Sequence, residues 1–130
     1  MSYSSKGCSG LFSVNKVDNN VYYTGKKYGL SNSGYFGVKG KKGSASWIRQ
    51  IYTENPEVEA SHFYDLLSNG GKEKPLTNGH GFISTMSDGS KITIRIKTSS
   101  KGSPAVDLNL EGFHKGVKSH QKIHFVSKED

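Results

Sequence analysis

The sequence predicts an α+β domain in which N-terminal helices pack on one face of a twisted four-stranded antiparallel sheet, and three observations carry that expectation. Four short segments between residues 82 and 126 alternate apolar and polar side chains, as strands do when one face is packed and the other open. A fifth segment, from Asn55 to Gly71, carries the start and stop signals of a helix. The chain of 130 residues is long enough for one modest core, and 32% apolar content with 16 glycines suits a loop-rich domain. Residues 1–45 read as a basic Gly/Tyr/Lys-rich N-terminal segment, and residues 46–130 as the α+β domain proper.

Taken in order, the first segment offers only short apolar fragments, and the glycines at 25, 29, 34, 37, 40 and 43 break any long regular element. Asn19-Asn20, between Val17 and Val21, suits the turn of a short hairpin. Trp47, Ile48, Ile51 and Tyr52 suit one face of a short helix. Asn55-Pro56-Glu57 then starts a second helix by cap, fixed φ and dipole, and Asn69-Gly70-Gly71 stops it. Residues 72–81 read as a loop.

Strand signals follow. Phe82–Met86 and Lys91–Lys97 flank a Ser87-Asp88-Gly89-Ser90 hairpin turn, in a register that sets Thr85 opposite Ile92 and Ile83 opposite Ile94. Ala105–Leu110 places Val106, Leu108 and Leu110 inward, and Lys122–Val126 does the same with Ile123 and Phe125.

The net charge of +7 and pI near 9.5 favour a polyanionic partner, and nucleic acid is the common one for a small domain. The excess lies wholly before residue 54, where eight Lys/Arg face Asp18 alone; beyond it ten basic and ten acidic residues cancel. Any basic site in the second part must therefore come from local arrangement. Cys8 is the single cysteine, which rules out an intramolecular disulfide and a zinc finger. No apolar run reaches membrane-spanning length and the start lacks a signal peptide's apolar stretch, so stable membrane insertion by this domain is not expected.

The outward sides of the strands collect Thr93, Arg95, Lys97, Asp107, Asn109, Lys122 and His124, beside the hydroxyls of Thr98, Ser99 and Ser100. Such a set suits cleavage of RNA by its own 2′-OH. That reaction needs a base of near-neutral pKa, cations for the charge growing on phosphate, and an acid for the 5′ oxygen. His124 fits the first need. Arg95 fits the second by its planar fork, with Lys122 or Lys97 adding charge. Thr98, Ser99 or Ser100 can donate hydrogen bonds, Asp107 can orient the imidazole, and Thr93, Lys97, Ser100 and Asn109 can hold substrate. His80, between two glycines, is the second histidine candidate; His114 and His120 read as solvated loop residues. No metal is expected, because His120 and His124 lie too far apart in extended chain and no carboxylate cluster accompanies them.

The stretch from Gly81 onward, with Asp88-Gly89, Ile92-Thr93-Ile94-Arg95, then Thr98 through Asp107 and the closing Gln121-Lys122-Ile123-His124-Phe125, resembles the C-terminal ribonuclease domains of bacterial polymorphic toxins of the contact-dependent inhibition type. The resemblance implies a fold like that of barnase, EndoU and RelE ribonucleases, and a metal-independent endoribonuclease acting on RNA, with tRNA foremost. It implies Arg95, the hydroxyls at 98–100, Lys122 and His124 as the working residues, with no cofactor. It also implies secretion as the C-terminal part of a larger toxin, action in the target cytoplasm, and an acidic cognate immunity protein. Two other readings stand beside it: a non-catalytic basic RNA-binding domain, supported by the Tyr/Lys-rich start, and a toxin nuclease acting on DNA.

Overall fold

A computed structural model describes residues 16–96 and 102–127 of the chain. Where a hairpin turn was expected about Asn19-Asn20, the chain forms helix α1 (Lys16–Tyr28). Val17, Val21 and Thr24 recur at the spacing of one helix face and are buried, while Asp18 in the first turn and Lys26 and Lys27 in the last suit the helix dipole. Asn20 serves a different purpose from turning the chain. Its amide donates to the carbonyls of Leu67 and Asn69, both at 2.9 Å, satisfying acceptors left open at the end of helix α2 (Pro56–Ser68).

Helix α2 has the predicted bounds, with Pro56 in its first turn and Gly70, at φ 89°, just beyond its end. Asn55 occupies the cap position, yet its side chain makes no capping bond. The helix buries Ala60, Phe63, Tyr64 and Leu67. Phe63 meets Phe36 and Phe125 edge to face, with ring centroids 5.0 and 5.3 Å apart, and this aromatic chain joins helix, N-terminal loop and sheet.

The sheet differs from expectation. Seven strands, β1 (Val38–Lys39), β2 (Ile48–Thr53), β3 (Lys72–Pro75), β4 (Gly81–Thr85), β5 (Lys91–Arg95), β6 (Ala105–Asn109) and β7 (His120–Ser127), form one sheet in the order β1-β2-β7-β6-β5-β4-β3. The sheet is mixed, because β2 and β7 run parallel while the other neighbours are antiparallel. The four-stranded antiparallel sheet is thus corrected to seven mixed strands. The placement of the helices changes too: α2 lies across β2, β5, β6 and β7 on one face, and α1 packs on α2. The path explains the parallel pair. From β2 the chain crosses the face through α2, drops to the far edge at β3, and returns as a meander that closes beside β2.

Three local causes hid the extra strands. In β2 the period is inverted: Arg49 turns to the covered side and Ile48 and Tyr52 to the open one, so apolar alternation misreads it as helix. Arg49 is tolerated there because its guanidinium donates to the carbonyls of Phe36 (3.1 Å), Ser46 (3.3 Å) and Gly37 (3.1 Å) and lies 4.7 Å from the Tyr35 ring centroid. β3 is exposed throughout, a charged edge strand ending in proline, which is how sheet edges avoid further pairing. β1 has two residues and carries no periodicity.

The β4–β5 register is shifted by one residue from the expected one: Ser84 pairs with Ile92 and Phe82 with Ile94. The cause is the turn. Met86 and Ser90 close it, and Gly89 at φ 95° completes a loop of three residues, where four were expected. Ser84 consequently faces α2, where its hydroxyl lies 2.7 Å from that of Tyr64, which also donates to Glu73 at 2.8 Å. Burial leads in pushing the Tyr64 phenol up to about 12, so it remains a donor. Ile92, Ile94, Val106, Leu108, Leu110, Ile123 and Phe125 are buried as expected, while Ile96 is exposed.

Candidate functional site

The register assigns the open face row by row. Gly81, Arg95, Ala105, His124 and Gln50 stand side by side across β4, β5, β6, β7 and β2. The next row holds Ile83, Thr93, Asp107, Lys122 and Ile48, and the third Thr85, Lys91, Asn109 and His120. Arg95, Asp107, Lys122 and His124 therefore do share one face, in two adjacent rows. Among the described strand residues of this face, Asp107 is the one carboxylate, against Lys72, Lys74, Lys91, Arg95 and Lys122.

Arg95 and His124 lie two strands apart, roughly 10 Å between backbones. Between them is Ala105, so no long side chain of β6 separates guanidinium from imidazole. Arg95 donates from Nε to Asp107 at 3.3 Å, and its side chain is 40% exposed. That leaves the two terminal nitrogens of the fork with no partner among the described residues. Gly81 closes the row on the other side. A Cβ there would sit 1.9 Å from the Ile94 carbonyl oxygen, so the glycine is demanded by the approach of β5.

His124 is half-buried, and its Nδ1 lies 3.3 Å from the Ser103 hydroxyl. Burial and the Lys122 ammonium hold its pKa below the ordinary histidine value, against a smaller opposing pull from Asp107. The ring is thus neutral at neutral pH. When Nδ1–H donates to Ser103, Nε2 is left as a free acceptor, the form a general base requires. Asp107, which the sequence reading offered as the group orienting the imidazole, bonds Arg95 instead; Ser103 takes that place.

The remaining predicted residues separate. Thr93 is buried between Arg95 and Lys91 on β5, and Asn109 sits in the third row beside His120. His80 lies at the Arg95 end of the sheet, its carbonyl accepting from Ile96 N at 2.9 Å. It precedes β4, is exposed, and stands outside the rows that bring Arg95, Lys122 and His124 together. Lys97, Thr98, Ser99 and Ser100 lie outside the described residues.

Two groups escaped the sequence reading. Gln50 and Tyr52 of β2 flank His124 and Val126, and the Tyr52 hydroxyl donates to Gln50 Oε1 at 3.0 Å. The β-branched and aromatic residues of Ile48–Thr53 were the available signal. His120, expected in a loop, begins β7 and stacks on Trp47, ring centroids 4.7 Å apart and planes 28° inclined. His114, expected to be solvated, is buried: Nδ1 is 2.6 Å from Asp18 Oδ1 and Nε2 is 2.9 Å from the Glu111 carbonyl.

Among the described residues no three His, Cys, Asp or Glu side chains are grouped to hold a metal ion, and no helix is long and apolar enough to cross a membrane. No family model, curated protein or solved structure matches the chain.

Proposed function

We propose that this domain is an endoribonuclease that cleaves RNA, tRNA foremost, through attack of a ribose 2′-OH on the adjacent phosphorus without a metal ion. The observation that supports it is the meeting of Arg95 from β5 with Lys122 and a neutral His124 from β7, across the intervening β6, on the uncovered face of the sheet. His124 Nε2 takes the 2′-OH proton as the 2′ oxygen bonds to phosphorus. Arg95 and Lys122 stabilise the charge on the phosphoryl oxygens. The bond to the 5′ oxygen breaks, that oxygen takes a proton, and a 2′,3′-cyclic phosphate and a 5′-OH remain. Lys122 is the nearest donor the rows offer for that proton.

The toxin resemblance belongs to the same proposal: delivery as the C-terminal part of a larger secreted chain, action in the target cytoplasm, and neutralisation by an acidic immunity protein whose carboxylates cover Arg95, Lys122 and His124. Complementary charge speeds such an encounter. A second reading, RNA binding without cleavage, is favoured by α1, where Tyr22 and Tyr23 are 58% and 57% exposed and Lys26 Nζ lies 5.4 Å from the Tyr22 ring centroid.

Incubation with total RNA and with plasmid DNA, each with and without EDTA, separates the readings. Cleaved RNA carrying 2′,3′-cyclic phosphate ends, unaffected by EDTA, is the expected result. Intact RNA that is nonetheless retained would favour the binding domain, and cut DNA or sensitivity to EDTA would overturn the proposal.

A further inference from the structure

The polar side of β7 reads, at steps of roughly 6.6 Å, His120, Lys122, His124 and Val126. What flanks this line on the β2 side is unequal along its length. At the His120 end Trp47 lies stacked on the imidazole, 37% exposed although one ring face is covered. Beside Lys122 and His124 stand Ile48 and Gln50, and at the Val126 end stands Tyr52, 47% exposed. A large flat ring thus marks each end, and the cation and imidazole occupy the middle.

We infer that the open face takes a single-stranded segment of RNA lying along β7, with one base stacked on Trp47, another against Tyr52, and the phosphate between them at Lys122 and His124. This rests on the reading of the face as an RNA site and adds the strandedness of the substrate and the groups that hold its bases. Three physical points carry it. Aromatic faces accept any unpaired base, and such stacking is the usual means by which a sheet holds a single strand. In a duplex the base faces are stacked on one another and unavailable to a side chain. The exposed Tyr22 and Tyr23 pair does not compete, because α1 packs on α2, beyond the covered side of the sheet.

Trp47 is the chain's single tryptophan, so its fluorescence reports on the platform directly. The probe is a six-nucleotide 2′-O-methyl oligoadenylate, which lacks the attacking hydroxyl and stays intact, set against a blunt duplex of 2′-O-methyl RNA. The single strand should quench Trp47 saturably and the duplex should not. Trp47→Ala and Tyr52→Ala should each weaken binding roughly tenfold, read by anisotropy of an end-labelled strand, and Trp47→Phe should restore most of it. Melting curves of the variants serve as the folding control, since both residues are more than a third exposed. Binding that leaves Trp47 unquenched, equal quenching by the duplex, or no binding at all overturns the inference. Quenching by the single strand with no cleavage of unmodified RNA supports it while overturning the ribonuclease reading, so the two failures are distinguishable.

Discussion

The two faces of the sheet use the same kinds of residue for opposite ends. On the covered face, polar groups are consumed by the fold. Arg49 gives its guanidinium to three backbone carbonyls, and Gln121, fully buried, accepts from Phe36 N at 2.9 Å and donates to the carbonyls of Gly34 and Lys118 at 3.1 Å. On the open face, among the described residues, Arg95 makes one bond to Asp107, and His124 one long contact with Ser103. A buried donor must be satisfied within the chain, whereas a donor at the surface keeps its capacity for something outside it. Polar groups held close together yet incompletely paired among the described residues are what make the open face the candidate site.

The comparison breaks most sharply if the faces are exchanged. Ile94 is 3% exposed, and Ile94→Asp should leave the chain unfolded at 25 °C by circular dichroism, because a carboxylate there has no partner. A folded Ile94→Asp protein would mean that the covered face had been misassigned. On the other side, His124→Ala should melt within about 2 °C of the parent and lose roughly 10²–10⁴-fold in RNA cleavage, the span expected of a removed general base. In the parent, cleavage should fall as pH drops through the lowered pKa of His124, giving an acid limb below the ordinary histidine value. Full activity in the alanine variant would remove His124 from the chemistry.

The two arginines sharpen the contrast at smaller scale. Arg95→Lys should lose roughly tenfold in cleavage with unchanged stability, since a point charge cannot hold phosphate as a fork does. Arg49→Lys should cost about 2 kcal/mol in urea unfolding, because an ammonium cannot reach three carbonyls set for a planar group. Equal behaviour of the two substitutions, in either measurement, would erase the distinction between faces.

Legibility in the sequence followed the same division. Where burial enforces alternation the reading was good: α2 and the inward residues of β5, β6 and β7 follow from apolar spacing alone. It failed where polar groups replace apolar ones in the core. Arg49 and Gln121 face inward and satisfy themselves through backbone carbonyls of the 34–37 loop, which no periodicity reveals. The charged edge strand β3 was hidden because protection from further pairing needs the composition of a loop. The candidate site was partly legible, since the shared face of Arg95, Lys122 and His124 follows from strand parity. Gln50, Tyr52, Trp47 and Ser103 were not, because their placement depends on which strand lies beside β7 and on the approach of Ser103, just ahead of β6, to His124.

The finest prediction concerns two histidines whose surroundings act in opposite directions. His124 is held low by burial and Lys122. For His114, burial opposes protonation, but Asp18, the Glu111 carbonyl and Asp88, 3.6 Å from Nε2, together outweigh it and raise the pKa. The geometry agrees, because both ring nitrogens face oxygen acceptors and only the imidazolium can donate to both. A raised folded-state pKa means that the stabilisation is complete below the unfolded-state value and is lost as pH rises through the folded one. The lowered value at His124 has the reverse sign, its contribution being lost as pH falls. The parent's pH–stability curve sums the two, so the difference between parent and His114→Gln isolates the first. That difference should be about 1 kcal/mol at pH 5.5, reduced by the exposure of Asp18, and should shrink toward alkaline pH. High salt should weaken it only in part, because the imidazole is buried while its partner is not. A difference that stays flat or grows between pH 5.5 and 9 would show that His114 is held as the neutral ring, and that the loop before β7 is pinned to α1 by packing alone.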